Sequence, residues 1–218
     1  MSRLVTFYRS TIGKKLVMAV SGLIGFGYVV LHMLGNLQAY EGRAKLNAYA
    51  AFLKANMPVL WAARTILIAA FVLHIVAASQ LAKTSLGSRP VGYSQWRAVA
   101  SNIASRTMRW TGPLLGLFII YHLLHMTTGT LHPYFHEGDV YRNVVTGFRI
   151  WYISALYFIA MLALGFHLFH GIWSMFQTVG IHRPKNDDPI RGFATIATIL
   201  IVAGFIAVPL GVLLGIIS

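Results

Sequence analysis

Five long apolar stretches, separated by short polar segments, dominate the chain. Each reaches the roughly 20 apolar residues that a helix needs to cross about 30 Å of hydrocarbon. Nothing in the pattern requires a sheet. The sequence therefore predicts an all-α integral membrane protein, a five-transmembrane-helix bundle that forms one domain over residues 1–218. The predicted helices lie near residues 15–39, 59–82, 108–131, 150–179 and 193–217.

The segment between the first two predicted spans has a different pattern. Over residues 40–58, Leu46, Tyr49, Phe52 and Leu53 recur at helical spacing before Pro58. Such spacing is typical of an amphipathic helix. We expect this segment to lie along the membrane interface.

Composition agrees with a membrane protein and narrows its chemistry. The 218 residues are 57% hydrophobic and 11% charged, too few polar groups for an ordinary soluble core. The chain has no cysteine. Disulfides, thiolate-held iron–sulfur clusters and covalently attached c-type haem are therefore excluded within this chain, and histidine is its main soft ligand.

The formal net charge of +13 is spread through the polar segments, with no basic arm that would favour nucleic acid. Twelve cations precede the first span or join the second to the third and the fourth to the fifth, whereas six lie on the other side. The positive-inside rule then predicts a cytoplasmic N-terminus. We accordingly expect a multi-pass protein of a bacterial inner (cytoplasmic) membrane.

Histidine supplies the candidate chemistry. Four of the five predicted spans carry one past their midpoint, at His32, His74, His122 and His167. At 1.5 Å per residue, His32 and His122 fall in the outer half of the bilayer, and His74 and His167 in the inner half. Intramembrane imidazoles mark functional sites, although a structural hydrogen-bonding role is the alternative for any single one.

Paired neutral imidazoles from different helices are the ligands that a b-type haem requires. The pattern therefore predicts two b-type haems, the outer held by His32 and His122 and the inner by His74 and His167. Zinc or copper fits less well, because no carboxylate lies within a span to support a closed metal site. His125 and His170, three residues beyond two of these histidines, are alternative ligands or haem or quinone contacts. His132, His136 and His182 are expected to be solvated loop side chains.

These features resemble the single-chain, five-helix, two-haem membrane-anchor subunit of the succinate:quinone oxidoreductase family, which includes succinate dehydrogenase and fumarate reductase. The resemblance rests on histidines in four helices and on two motifs. One is Arg109-x-Thr111-Gly112 before Tyr121-His122, and the other is Phe166-His167-Leu168-x-x-Gly171-Ile172-Trp173. In one departure, Gly165 stands where some di-haem fumarate reductases have a glutamate that serves proton transfer.

The resemblance implies a cytochrome b that passes electrons from an iron–sulfur subunit through two haems to a quinone, with menaquinone expected. It also implies flavoprotein and iron–sulfur partners on the cytoplasmic side, and no dicarboxylate chemistry in this chain. We expect haem propionates near Arg106, Arg109 and Ser79, although interfacial anchoring explains the arginines equally well. Possible quinone contacts are Gln38, Tyr40 and Glu41, which follow His32 at the outer boundary.

Two alternatives remain open from the sequence. One is a stand-alone di-haem quinol oxidoreductase without a flavoprotein partner. The other is a transporter whose histidines couple to protons, for which inverted repeats and broken midplane helices would be expected. The only weak repeat, Ser21-Gly22 to His32 against Thr111-Gly112 to His122, joins helices of the same orientation.

Overall fold

The computed structural model describes residues 3–88, 103–181, 183 and 186–218, with Leu4 described by its backbone alone. The predicted basic connection between the second and third spans lies largely in residues 89–102, outside the described residues, as do His182 and Lys185. All regular structure in the described ranges is helical.

Eight α-helices, a 3₁₀ turn and a π-helical segment follow one another along these ranges. The α-helices are α1 (Arg3–Arg9), α2 (Thr11–Leu37), α3 (Arg43–Ala55), α4 (Met57–Gly87), α5 (Ile103–His122), α6 (Val140–Phe148), α7 (Trp151–Thr178) and α8 (Asp187–Leu213). The 3₁₀ turn is Gln38–Glu41, and the π-helical segment is Leu123–Thr127.

Four helices in the described part of the chain are long and apolar enough to cross a membrane. They are Thr11–Glu41, Met57–Gly87, Trp151–Thr178 and Asp187–Leu213. Helix α5 and the π-helical segment occupy the place of the third predicted span, with Arg106 and Arg109 in the first two turns of α5. Helix α3 occupies the segment predicted to be amphipathic.

Two predicted spans extend four residues beyond the observed helices, and glycine explains both differences. The third predicted span extends to residue 131, but helical structure stops at Thr127 and the backbone at Gly129 has φ of +73°. The last span is predicted to end at residue 217, but α8 ends at Leu213, and Gly215 also has φ of +73°. This left-handed backbone ends a helix and is easily adopted only by glycine.

Polar caps fix the starts of the first two long helices. The Ser10 side chain accepts a hydrogen bond from the backbone N–H of Gly13 at 3.0 Å and so begins α2. The Asn56 side chain accepts one from Val59 at 3.3 Å, and Pro58 lies in the first turn of α4. These caps satisfy N–H groups that a helix start leaves unpaired.

Helix α2 is the central element of the bundle. It packs against α4, α7 and α8, while α7 also packs against α5 and α8. Small side chains allow the closest approach: Ala70 and Ala77 are the buried residues of α4. Such residues let two membrane helices pack tightly.

Helices α3 and α6 close one end of the bundle, which we call the α3–α6 end. Leu46 of α3 is buried there in an apolar cluster with Phe148 of α6, Tyr157 of α7 and Val212 of α8. A second cluster, near the opposite end, joins α7 to α8 through Leu168, Ile172, Ala194 and Ile201. The histidine-bearing stretches lie between and beside these two clusters.

Candidate functional site

The first predicted histidine pair comes together near the α3–α6 end. The imidazole of His32 on α2 lies with its ring centre 5.7 Å from that of His122, the last residue of α5. Tyr28, one turn before His32, stacks on its ring at 5.4 Å. Two imidazoles that flank one metal ion at about 2.0–2.1 Å each have ring centres roughly 6 Å apart.

The second pair comes together further along the bundle. The ring centres of His74 on α4 and His167 on α7 are 6.1 Å apart. The Nδ1 atom of His74 lies 3.2 Å from the carbonyl oxygen of Met18 and 3.3 Å from the hydroxyl of Ser21, both on α2. A carbonyl only accepts, so Nδ1 carries the proton and Nε2 is left as a ligand atom.

The two pairs are well separated in depth. His74 touches α2 at Ser21, and His32 follows Ser21 by eleven positions on the same helix. At 1.5 Å per residue, the sites lie roughly 16 Å apart along the α2 axis. Helix lengths alone assign the two pairs to opposite halves of the bilayer, and that assignment stays a prediction.

Each pair bridges two helices that are not close neighbours. Within the described ranges, α2 with α5 and α4 with α7 are absent from the helix pairs that pack along their lengths. A Cβ atom added at Gly25 on α2 or at Gly171 on α7 meets no atom within 4 Å. In addition, the Nδ1 atom of His167 is buried without a hydrogen-bond partner in this part of the chain.

These observations fit a flat macrocycle between helices. Facing imidazoles across a gap are the donor set of a b-type haem, and the open positions give it room. The described residues contain no group of three or more His, Cys, Asp or Glu side chains that could hold a metal ion. Each of the two sites is thus a pair of histidines, His32 with His122 and His74 with His167.

His125 occupies a different position from His122, although only three residues separate them. The π-helical segment carries His125 to a site with 0% exposure, where its ring stacks on His132 at 4.7 Å. The expectation that His132 is solvated is wrong: it is buried because its Nε2 lies 2.8 Å from the carbonyl of Asn143 and its Nδ1 accepts from the N–H of Tyr134. Among these side chains, His122 is the one beside His32.

Tyr157 was not singled out from the sequence, yet it joins these histidines. Its hydroxyl lies 3.1 Å from Nδ1 of His122 and 3.0 Å from Nδ1 of His125, and the residue is 6% exposed. Its sequence signal is weak: a hydroxyl in the second turn of α7, a helix in which Tyr152 and Ser154 also carry hydroxyls. His136 is exposed, and His170 lies beside Trp173 with its Nδ1 buried and without a described partner.

The three candidate quinone contacts differ in how their polar atoms are used. Tyr40 donates its hydroxyl hydrogen to the carbonyl of Ala207 at 2.7 Å. Glu41 forms an exposed ion pair with Lys45 at 3.7 Å. The Oε1 atom of Gln38 is buried without a hydrogen-bond partner among the described residues. Gln38 is thus the best placed of the three to take a ligand.

The three candidate propionate contacts, Arg106, Arg109 and Ser79, are exposed. No described hydrogen bond or ion pair links one of them to another, and Arg106 has an interaction of its own. Their exposure near the ends of α5 and α4 is compatible with either propionate contact or interfacial anchoring.

A buried carboxylate holds the α3–α6 end together. Asp139 caps α6 by accepting from the N–H of Arg142 at 3.1 Å, and it also accepts from Asn47 and Arg43 of α3. Burial alone would raise the pKa of Asp139, but these hydrogen bonds and the charge of Arg43 outweigh it and lower the pKa.

Comparison with known proteins bears on these sites. A family model described as the succinate dehydrogenase/fumarate reductase transmembrane subunit matches residues 89–207. The chain belongs to this family. It is therefore a membrane subunit of an oxidoreductase complex, and the family is one of haem-b-binding cytochrome subunits. Neither the curated proteins nor the solved structures gave a match.

The matched range contains one member of each histidine pair. His122 and His167 fall within it, whereas His32 and His74 precede it. The fold places His32 beside His122 and His74 beside His167. The structure therefore gives each histidine of the matched range a neighbour that lies outside that range.

Proposed function

We propose that this chain is the di-haem cytochrome b anchor of a succinate:quinone oxidoreductase, connecting an iron–sulfur subunit to a quinone in the membrane. The observation that carries the proposal is the meeting of four histidines from four helices as two pairs, with ring centres 5.7 Å and 6.1 Å apart. The family supports the same class of complex.

In this proposal, His32 with His122 holds an outer haem b, and His74 with His167 holds an inner one. When bound, these haems supply one-electron redox chemistry at two depths of the bilayer. The chain itself orients the ligands: the Met18 carbonyl fixes the tautomer of His74, and the α2–α4 contact through Ala77 keeps that histidine against α2. The bundle then has five spans, with α5 and the π-helical segment as the third.

We place quinone beside the outer site, with Gln38 as its contact. The buried Oε1 atom of Gln38 is an acceptor that a quinol hydroxyl can satisfy, and it lies two turns after His32. The expected quinone is menaquinone. The polypeptide supplies position and polarity at this site. Helices α2, α4 and α7 contain no Asp or Glu, and the two carboxylates of α8, Asp187 and Asp188, lie in its first turn.

The proposed orientation has the N-terminus in the cytoplasm of a bacterium, with flavoprotein and iron–sulfur partners on that side. The excess of Lys and Arg in the segments before α2, between α4 and α5, and between α7 and α8 supports it. In this proposal, succinate is oxidised in the flavoprotein partner and this chain carries the electrons onward.

The test is a redox-titrated visible spectrum of the purified complex, with the co-purified subunits identified. We expect two low-spin haems per chain, and His32→Ala and His74→Ala should each remove one of them. His136→Ala, a change at an exposed loop histidine, is the matched control and should retain both. If both core variants keep full haem content, the ligand assignment is wrong. Two haems without any flavoprotein would instead indicate a stand-alone quinol oxidoreductase.

A further inference from the structure

Tyr157 occupies a position that the proposed function does not use. It is a buried residue of α7, and its hydroxyl lies within 3.1 Å of the Nδ1 atoms of both His122 and His125. Phe118 and Phe148 meet its ring edge-on at 4.9 Å and 4.8 Å. The ring is therefore held from two sides, and the hydroxyl is directed between the two imidazoles.

Counting hydrogens limits the directions of the two hydrogen bonds. A phenol has one hydrogen to donate and lone pairs to accept with, so Tyr157 can donate to at most one of the two Nδ1 atoms and must accept from the other. A neutral histidine that binds iron through Nε2 carries its proton on Nδ1. With His122 as such a ligand, its Nδ1–H donates to the Tyr157 oxygen, and Nδ1 of His125 is the one acceptor left for the Tyr157 hydrogen among the described residues.

We propose that Tyr157 is a positioning residue that fixes the tautomer and orientation of His122 and lowers the reduction potential of the outer haem. This inference rests on the proposed function, because it takes His122 as a ligand. The ordered chain is His122 to Tyr157 to His125.

The physical reason is the basicity of the ligand. An acceptor on Nδ1–H makes an imidazole a stronger electron donor to its metal, which favours the oxidised ion. The onward bond from Tyr157 to His125 polarises the hydroxyl and makes its oxygen a better acceptor. His125 thus acts on the outer site only through Tyr157.

Close packing surrounds His125, the last residue of the hydrogen-bonded series His122–Tyr157–His125. His132 uses both of its ring nitrogens, towards Asn143 and Tyr134, and it stacks on His125. A Cβ atom added at Gly147 would lie 3.3 Å from Nε2 of His125 and 2.9 Å from Nε2 of His132. Only glycine fits this close to both rings. The Nε2 atom of His125 is buried without a hydrogen-bond partner among the described residues, so Nδ1, which faces Tyr157, is the ring nitrogen that has one.

The experiment measures the midpoint potentials of both haems in the purified complex. Tyr157→Phe keeps the ring and removes the hydroxyl, so the outer haem potential should shift upward while the inner one stays unchanged. Tyr121→Phe is the matched control: Tyr121 stacks on His125 at 5.4 Å and contacts Tyr157, but has no described hydrogen bond to a histidine. It should leave both potentials unchanged.

A second variant keeps the test valid if Tyr157→Phe loses haem. His125→Leu retains the bond between Tyr157 and His122 but removes the onward acceptor, so the outer potential should rise by less. Combined with Tyr157→Phe, it should add no further shift, because the two residues act in series.

The inference and the proposed function fail in different ways. Unchanged potentials in both Tyr157→Phe and His125→Leu, with one haem lost in His122→Ala, would overturn the role of Tyr157 alone. Full haem content in His122→Ala would overturn the ligand assignment itself. An equal shift of both haems in Tyr157→Phe would also overturn the inference, since the described contacts of the hydroxyl are with His122 and His125 and with neither histidine of the inner pair.

Discussion

Removing the Asp139 carboxylate should loosen the α3–α6 end, and the structure sets the size of the effect. Asp139 is 5% exposed and caps α6 while binding Asn47 and Arg43 of α3. Loss of an N-cap costs about 1 kcal/mol, and loss of a hydrogen bond to a charged group costs about 1.5–3 kcal/mol. The Arg43 pair adds at most about 1 kcal/mol, because that side chain is 65% exposed. Asp139→Ala should therefore cost about 2.5–5 kcal/mol.

The assay is thermal unfolding of the purified protein in detergent, followed by circular dichroism. For a chain of this length, 1 kcal/mol corresponds to about 2–4 °C, so Asp139→Ala should lower the midpoint by on the order of 10 °C. Asp139→Asn keeps one oxygen for Asn47 and the N–H of Arg142 but loses the charge and the oxygen that accepts from Arg43, so its decrease should be smaller. Glu137→Gln, an exposed carboxylate in the same loop, is the control and should change little.

The pH dependence has a definite sign. Because the pKa of Asp139 is lowered in the folded protein, its contribution is fully present above the unfolded value of about 3.9. It is lost as the pH falls through the folded value. The difference between wild type and Asp139→Asn should therefore be constant from pH 8 to 5 and shrink below about pH 4. An unchanged midpoint in Asp139→Ala, or a difference that grows on acidification, would refute the reasoning.

Two further predictions concern packing around the sites. A Cβ atom at Gly22 would lie 3.3 Å from Cε1 of His74, so Gly22→Leu should displace that ring and reduce haem content by half. Gly27→Leu, at an exposed position with nothing within 4 Å, should keep full content in the same pyridine haemochrome measurement. Tyr40→Phe removes the bond to the Ala207 carbonyl and should cost about 0.5–1.5 kcal/mol, seen as a lower thermal midpoint with an unchanged haem spectrum.

Most of the fold could be predicted from the length and hydropathy of the apolar stretches. The apolar stretches locate α2, α4, α7 and α8 to within several residues, because a bilayer selects helices of about 20 residues or more. The pairing of His32 with His122 and of His74 with His167 was predictable for the same reason: depth along a straight helix is simply the number of residues times the rise.

What the sequence could not show depends on local geometry. The π-helical segment changes where His125 points, and its hydrogen-bond register has no reliable sequence signal. The sequence around His132 is typical of a loop, yet the side chain is buried. Both of its ring nitrogens are hydrogen-bonded, Nε2 to the carbonyl of Asn143 and Nδ1 to the N–H of Tyr134. Tyr157 could not be singled out from the sequence, because a tyrosine in a membrane helix is ordinarily an interfacial or packing residue.

The two histidine pairs share one feature that is seen only in the contacts of the structure. Each has one imidazole whose Nδ1 is held by another helix: His74 by a backbone carbonyl of α2, and His122 by a hydroxyl of α7. The second imidazole of the inner pair, His167, has a buried Nδ1 without a described partner. A carbonyl is a fixed acceptor, whereas a hydroxyl must itself donate onward to be a strong one. The Nδ1 atoms of His74 and His122 therefore have acceptors of different kinds, and both acceptors belong to residues outside the two histidine pairs.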